Sequence, residues 1–160
     1  MTCARAAQRA DLIWERSPDE TVAGYHVYCA DVTLHQSSRI DVGNASACLI
    51  TNLIEGRTYQ FHVTAYDSAG LESDPSNVVE FSVPLGPLET IVTAGPGGMP
   101  AMRLRAPGIE GVRLALQSSS DLKNWTTIAT VAEVGQSIDL TVVISGTVEK
   151  RFFRSVTVPQ

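Results

Sequence analysis

The sequence predicts an all-β chain built of two small β-sandwich domains, and three observations predict it. Short runs of alternating apolar and polar residues recur about every 8–12 residues with turn residues between them, the spacing of an antiparallel sandwich. No window of about 11 residues carries a clean apolar stripe at i, i+3, i+4 and i+7, so helix has no support. A Gly-Pro pair at Gly86-Pro87 separates two sets of such runs. The expected division is residues 1–84, a short linker at 85–87, and residues 88–160.

In the first half, strands are expected at Cys3–Ala7 and at Asp11–Glu15, the latter with Trp14 in the core. SPDETVAG then reads as a loop, and GYHVYCA (24–30) as the third strand. A short edge strand, Ser38–Val42, ends at the turn pair Gly43-Asn44. Ala47–Thr51 and Thr58–Asp67 follow. Ser68-Ala69-Gly70 is a turn in which Gly70 takes positive φ. Asn77–Val83 is the last strand, and Pro84 stops it. Alternation sets Tyr25, Val27, Cys29, Tyr59, Phe61, Val63 and Ala65 inward. His26, Tyr28, Gln60, His62, Thr64 and Tyr66 then point outward.

Several of these elements fall in a recognisable pattern. Trp14-x-x-Ser17-Pro18-Asp19-x-x-Val22-x-Gly24-Tyr25-x-Val27-Tyr28 comes first, and Ile40-Asp-Val-Gly-Asn44 follows. Then come Leu53-x-x-Gly56-x-x-Tyr59-x-Phe61-x-Val63-Thr-Ala-Tyr-Asp67 and, after it, Gly70-x-Glu72-Ser73-x-x-Ser76. The pattern resembles a bacterial variety of fibronectin type III domain over residues 5–84, with a tyrosine corner at Leu53–Tyr59. The resemblance implies an immunoglobulin-like sandwich of seven strands. It implies a non-catalytic role, because this sandwich carries binding and spacing work of many kinds. It also implies a secreted or cell-surface setting in bacteria. The opening residues MTCARAAQRAD lack the apolar stretch of a secretory leader, which leaves either a cytosolic protein or one whose leader is already removed. The resemblance favours the second.

The second half reads as strands at Leu88–Thr93, Ala101–Ala106, Val112–Ser118, Trp125–Ala132, Ser137–Ile144 and Arg151–Val158, with a Gly/Pro loop at 94–100. QSSSDLKNW and the later RFFRSV resemble a C-terminal β module of secreted proteins from environmental bacteria.

Charge and composition remove several classes of function. Residues 1–85 carry 5 Arg against 11 Asp and Glu, a balance of −6, and residues 86–160 carry 7 Lys and Arg against 6, a balance of +1, which together give the net −5. No basic footprint exists for nucleic acid or an anionic membrane surface. No apolar run approaches the roughly 18 residues of a membrane span. Cys3, Cys29 and Cys48 form no C-x-x-C pair. Cys29 and Cys48 fall toward opposite poles of the expected sandwich, beyond the reach of a disulfide. Three thiols is the favoured reading.

No sequence signal supports an enzyme. There is no G-x-S-x-G elbow, no phosphate-binding loop followed by a helix, and no cysteine with a catalytic flanking pattern. No cofactor is implied. His26 and His62 on one sheet lack the third ligand that a metal site needs. Asp19, Glu20, Asp67, Glu72 and Asp74 fall in two loops at one pole, where calcium would need converging oxygens, although Asp67 is better suited to bonding its own turn. The outward set His26, Tyr28, Gln60, His62 and Tyr66 is the candidate binding face, for a protein or a glycan, set against an ordinary solvated sheet. Trp125 is expected in the second core; if exposed, it is a glycan-stacking candidate. Three functions follow: a binding or spacer module, a self-assembling structural subunit joined through edge strands, and a carbohydrate-binding accessory module.

Overall fold

The computed structural model describes residues 8–131, 135–143 and 150–158. The chain divides into two compact units, Met1–Pro84 and Leu85–Gln160. Among the described residues both are built from strands, apart from a single 3-10 turn at Pro96–Gly98.

The first unit holds β1 (Gln8–Ile13), β2 (Val22–Asp31), β3 (Gln36–Asp41), β4 (Ala47–Leu53), β5 (Thr58–Asp67) and β6 (Val79–Ser82). β1 and β4 pair antiparallel as one sheet, and the other runs β3-β2-β5-β6. The two enclose Val27, Ile50, Leu53, Tyr59, Phe61 and Val83. The expected strand Cys3–Ala7 lies outside the described residues. Trp14 falls one residue past β1, not inside a strand. It is half-buried at the core's margin, its ring edge-on to Tyr25 at 5.8 Å.

β6 is shorter than expected, and Ser73 and Ser76 explain it. Along β5, the hydroxyls of Ser76 and Ser73 accept the N–H groups of Val63 and Ala65 at 3.0 Å each. Their own N–H groups donate to the carbonyls of those same two residues at 2.8 Å. Pro75 between them has no N–H to give. Side chains thus replace one strand's share of the ladder, and true pairing resumes only at Val79.

The tyrosine corner forms as the spacing implied. The hydroxyl of Tyr59 accepts the N–H of Ile54 at 3.1 Å, and Gly56 sits at φ +74° to turn the chain beneath it. Directly after Gly56, Arg57 enters the interior. Its guanidinium donates to Asp31 Oδ2 at 2.9 Å, with the side chains 5% and 10% exposed. Asp31 Oδ1 accepts the N–H groups of Thr33 and Leu34, closing the turn after β2. This buried pair ties the end of β2 to the start of β5. Cys29 on β2 and Cys48 on β4 are free thiols in different sheets; burial pushes both thiol pKa values up.

The second unit holds β7 (Glu89–Ala94), β8 (Pro100–Ala106), β9 (Arg113–Ser119), β10 (Thr126–Thr130), β11 (Ile138–Val143) and β12 (Phe152–Val158). The sheets run β11-β8-β7 and β10-β9-β12. Leu104, Leu114 and Leu116 are fully buried between them, with Ala106, Ile109, Val112, Val131 and Ile138 around them. The expected strand ends at Ala132 and Ile144 lie outside the described residues.

Candidate functional site

The pairing of β2 with β5 decides what the outer face of the four-stranded sheet looks like. Tyr28 stands opposite His62, His26 opposite Thr64, Gly24 opposite Tyr66, and Ala30 opposite Gln60. Directly opposed residues on an antiparallel pair share a face. All five candidate residues therefore come together as the alternation indicated, joined by Arg39 and Asp41 from β3. None of the five is fully exposed.

Their rings are used up by one another. Tyr28 stacks on His62 with centroids 4.7 Å apart and planes 10° apart. His26 stacks on Tyr66 at 4.5 Å and 28°. The Tyr66 ring lies across the cross-strand Gly24, where any Cβ would fall 2.3 Å from the phenol oxygen. Glycine is required there for the ring to lie down.

The polar ends of Tyr28 and His26 meet at Glu72, a residue the sequence places in an acidic loop. Asp67 Oδ1 accepts the N–H groups of Ala69 and Leu71, and Gly70 at φ +82° reverses the chain. That turn lays Glu72 back beside Tyr66 in an isolated bridge. Glu72 Oε2 accepts from the hydroxyls of Thr64 at 2.6 Å and Tyr28 at 2.8 Å. Its Oε1 lies 3.1 Å from both Arg39 Nη1 and His26 Nδ1. The Arg39 contact is a hydrogen bond; the His26 contact is a close approach without hydrogen-bond alignment. Tyr66 donates to Asp41 Oδ1 at 2.9 Å, and Gln60 to Glu80 at 3.2 Å. Glu72 is the hub of the polar network on this face, Tyr66–Asp41 and Gln60–Glu80 stand beside it as separate pairs, and His26 Nδ1 is buried without a hydrogen-bond partner.

The donated bonds from Thr64 and Tyr28, with the charge of His26, hold the Glu72 carboxyl far down, at about 2. A carboxyl held below its ordinary pKa of about 4.3 stabilises the fold above that value and loses the contribution as pH falls. Glu72→Gln should therefore lower the urea midpoint at pH 7, and the gap from the parent should close between about pH 4 and pH 2. Denaturation series at pH 7 and at pH 2.5 check it; an equal gap at both would show that Glu72 acts by shape, not charge.

The other candidates stand elsewhere. Asp19 Oδ1 accepts from the N–H and hydroxyl of Thr21, which lower its pKa. Asp67 bonds its own turn, as expected. Among the described residues, no group of three or more His, Cys, Asp or Glu is placed to hold a metal ion. Trp125 was expected in the second core and is not part of it; it is half-buried on the loop Ser119–Trp125. The reason is Asp121, whose Oδ1 accepts the N–H groups of Lys123 and Asn124 and winds the loop about itself. These bonds, the Asn124 N–H foremost, lower the Asp121 pKa. The indole then donates to the carbonyl of Leu122 at 3.2 Å, and the Arg154 guanidinium covers the ring at 4.0 Å.

The sandwich, the tyrosine corner and the outer network all lie within a match to the fibronectin type III domain family over residues 2–82, half of the 160-residue chain. The chain belongs to the fibronectin type III family. No curated protein matches it. The fibronectin type III unit is immunoglobulin-like and non-catalytic as a family, a common module for binding and spacing, and a second all-β domain follows it.

Proposed function

We propose that this chain is a non-catalytic spacer and contact module of an extracellular bacterial protein, and that its contacts are with protein. The observation that carries the reading is the hydrogen-bonded network around Glu72. The hydroxyls of Tyr28 and Tyr66 and the amide of Gln60 already have partners within the face. These partnered groups hold the face rigid, and they ask for no ligand hydrogen bonds of their own. The stacked rings also offer one another the faces that a sugar would need. The Arg154 guanidinium covers Trp125 in the same manner. Both observations favour a protein contact over a glycan contact. The extracellular bacterial setting rests on the W-x-x-S-P-D and I-D-V-G-N patterns of the first half.

Titration with a panel of soluble neutral and acidic glycans, read by tryptophan fluorescence, tests the choice. No change in emission is expected. Saturable quenching that disappears in Trp125→Phe would overturn this reading in favour of a carbohydrate-binding accessory module.

A further inference from the structure

β7 is a strand without cover. All six of its residues are exposed. Among the described residues it ends its sheet, pairing with β8 alone. Thr90 and Val92 stand opposite Leu104 and Met102, on the sheet's core-facing side. Yet Val92 is 77% exposed, and Ile91 on the opposite face is 55% exposed. The second sheet does not reach far enough to cover it.

Natural proteins blunt such edges with charges, prolines, bulges or short length. The other three sheet-end strands of this unit are blunted. β10 carries a register shift between Thr127 and Ala129. β11 carries Asp139, paired with Arg103. β12 carries Arg154 at its third position. β7 has an unbroken register and reads Glu-Thr-Ile-Val-Thr-Ala, with no proline, no lysine and no central charge. Its one charge, Glu89, sits at the first position, 4.0 Å from Arg105.

We propose that β7 is a self-association edge that pairs antiparallel with β7 of a second copy about a two-fold axis. Such an axis keeps the core-facing sides of both sheets aligned, so residues of the same parity meet. Centred on Val92, the pairing sets Val92 against the second copy's Val92 and Ile91 against its Thr93. The two most exposed apolar side chains of the strand are then covered. Charge is compatible, because the two Glu89 carboxylates fall at opposite ends of the paired strands and no like charges face each other. Six residues bury less than a standard interface, so the dimer is weak and closed. The inference rests on the proposal above only in that the contact is protein. A chain that binds glycan and still dimerises through β7 would overturn the former alone.

Sedimentation velocity of the full chain from about 10 µM to about 1 mM tests it, with amide hydrogen exchange at both ends of the range. A monomer–dimer equilibrium is expected, with protection rising across 89–94 as concentration rises. Val92→Lys sets two ammonium groups against each other and should weaken the dimer at least about tenfold. Far-UV circular dichroism should leave the variant's fold unchanged, because Val92 is largely in solvent. If Val92→Lys fails to fold, the exchange measurement on the parent still decides. A monomer throughout, a dimer indifferent to Val92→Lys, protection confined to other strands, or open polymers would each overturn the proposal.

Discussion

Arg57→Met is expected to cost the first unit about 3–5 kcal/mol, because it leaves Asp31 charged and buried without its partner. The methionine fills much of the space the arginine stem occupied, so the loss is electrostatic more than steric. Adding Asp31→Asn should recover part of it. The asparagine oxygen can still accept the N–H groups of Thr33 and Leu34 that the aspartate holds at 2.9 and 3.1 Å, without carrying a charge. Urea unfolding followed through Trp14, in a Trp125→Phe background so that one unit is read alone, measures both. If the double variant is no more stable than Arg57→Met alone, the buried charge is not what destabilises the single variant.

Gly108→Ala should cost the second unit about 3 kcal/mol, the upper end for an overpacked site. A Cβ there would fall 1.8 Å from the carbonyl oxygen of Gly135 and 2.7 Å from its carbonyl carbon. Both obstacles are main chain, so no rotamer relieves them and two segments must part. Gly24→Ala provides the contrast. Its Cβ meets only the tip of the Tyr66 ring, which can swing away. The expected result there is a smaller loss with a broken Tyr66–Asp41 bond. Unfolding followed by Trp125 emission for Gly108→Ala, and by Trp14 emission for Gly24→Ala, compares the two. Equal losses would show that backbone and side-chain obstacles cost the same here.

Much of the first unit was legible because its signals are local. Alternation on β2 and β5 sorted inward from outward residues, and the register agrees. The Leu53–Tyr59 spacing named a corner, and the Ile54–Tyr59 bond closes it. The strand ends were less legible where side chains stand in for backbone, as Ser73 and Ser76 do beside β5. In the second unit the six strands were readable from their runs. The position of Trp125 was not, because Asp121 rewinds its loop by bonds that leave no period in the sequence.

By itself the sequence determined which residues share a face: His26, Tyr28, Gln60, His62 and Tyr66 on one side of one sheet. Period-two alternation is a property of each strand alone and needs no partner to be read. Tertiary structure alone decided what occupies that face and what does not. Glu72 arrives from a turn to bind Tyr28, Thr64 and Arg39, Arg57 crosses the interior to Asp31, and Val92 is left uncovered on the core side of its sheet. Each depends on how far one segment reaches past another, a matter of loop closure and sheet overlap that no local pattern encodes.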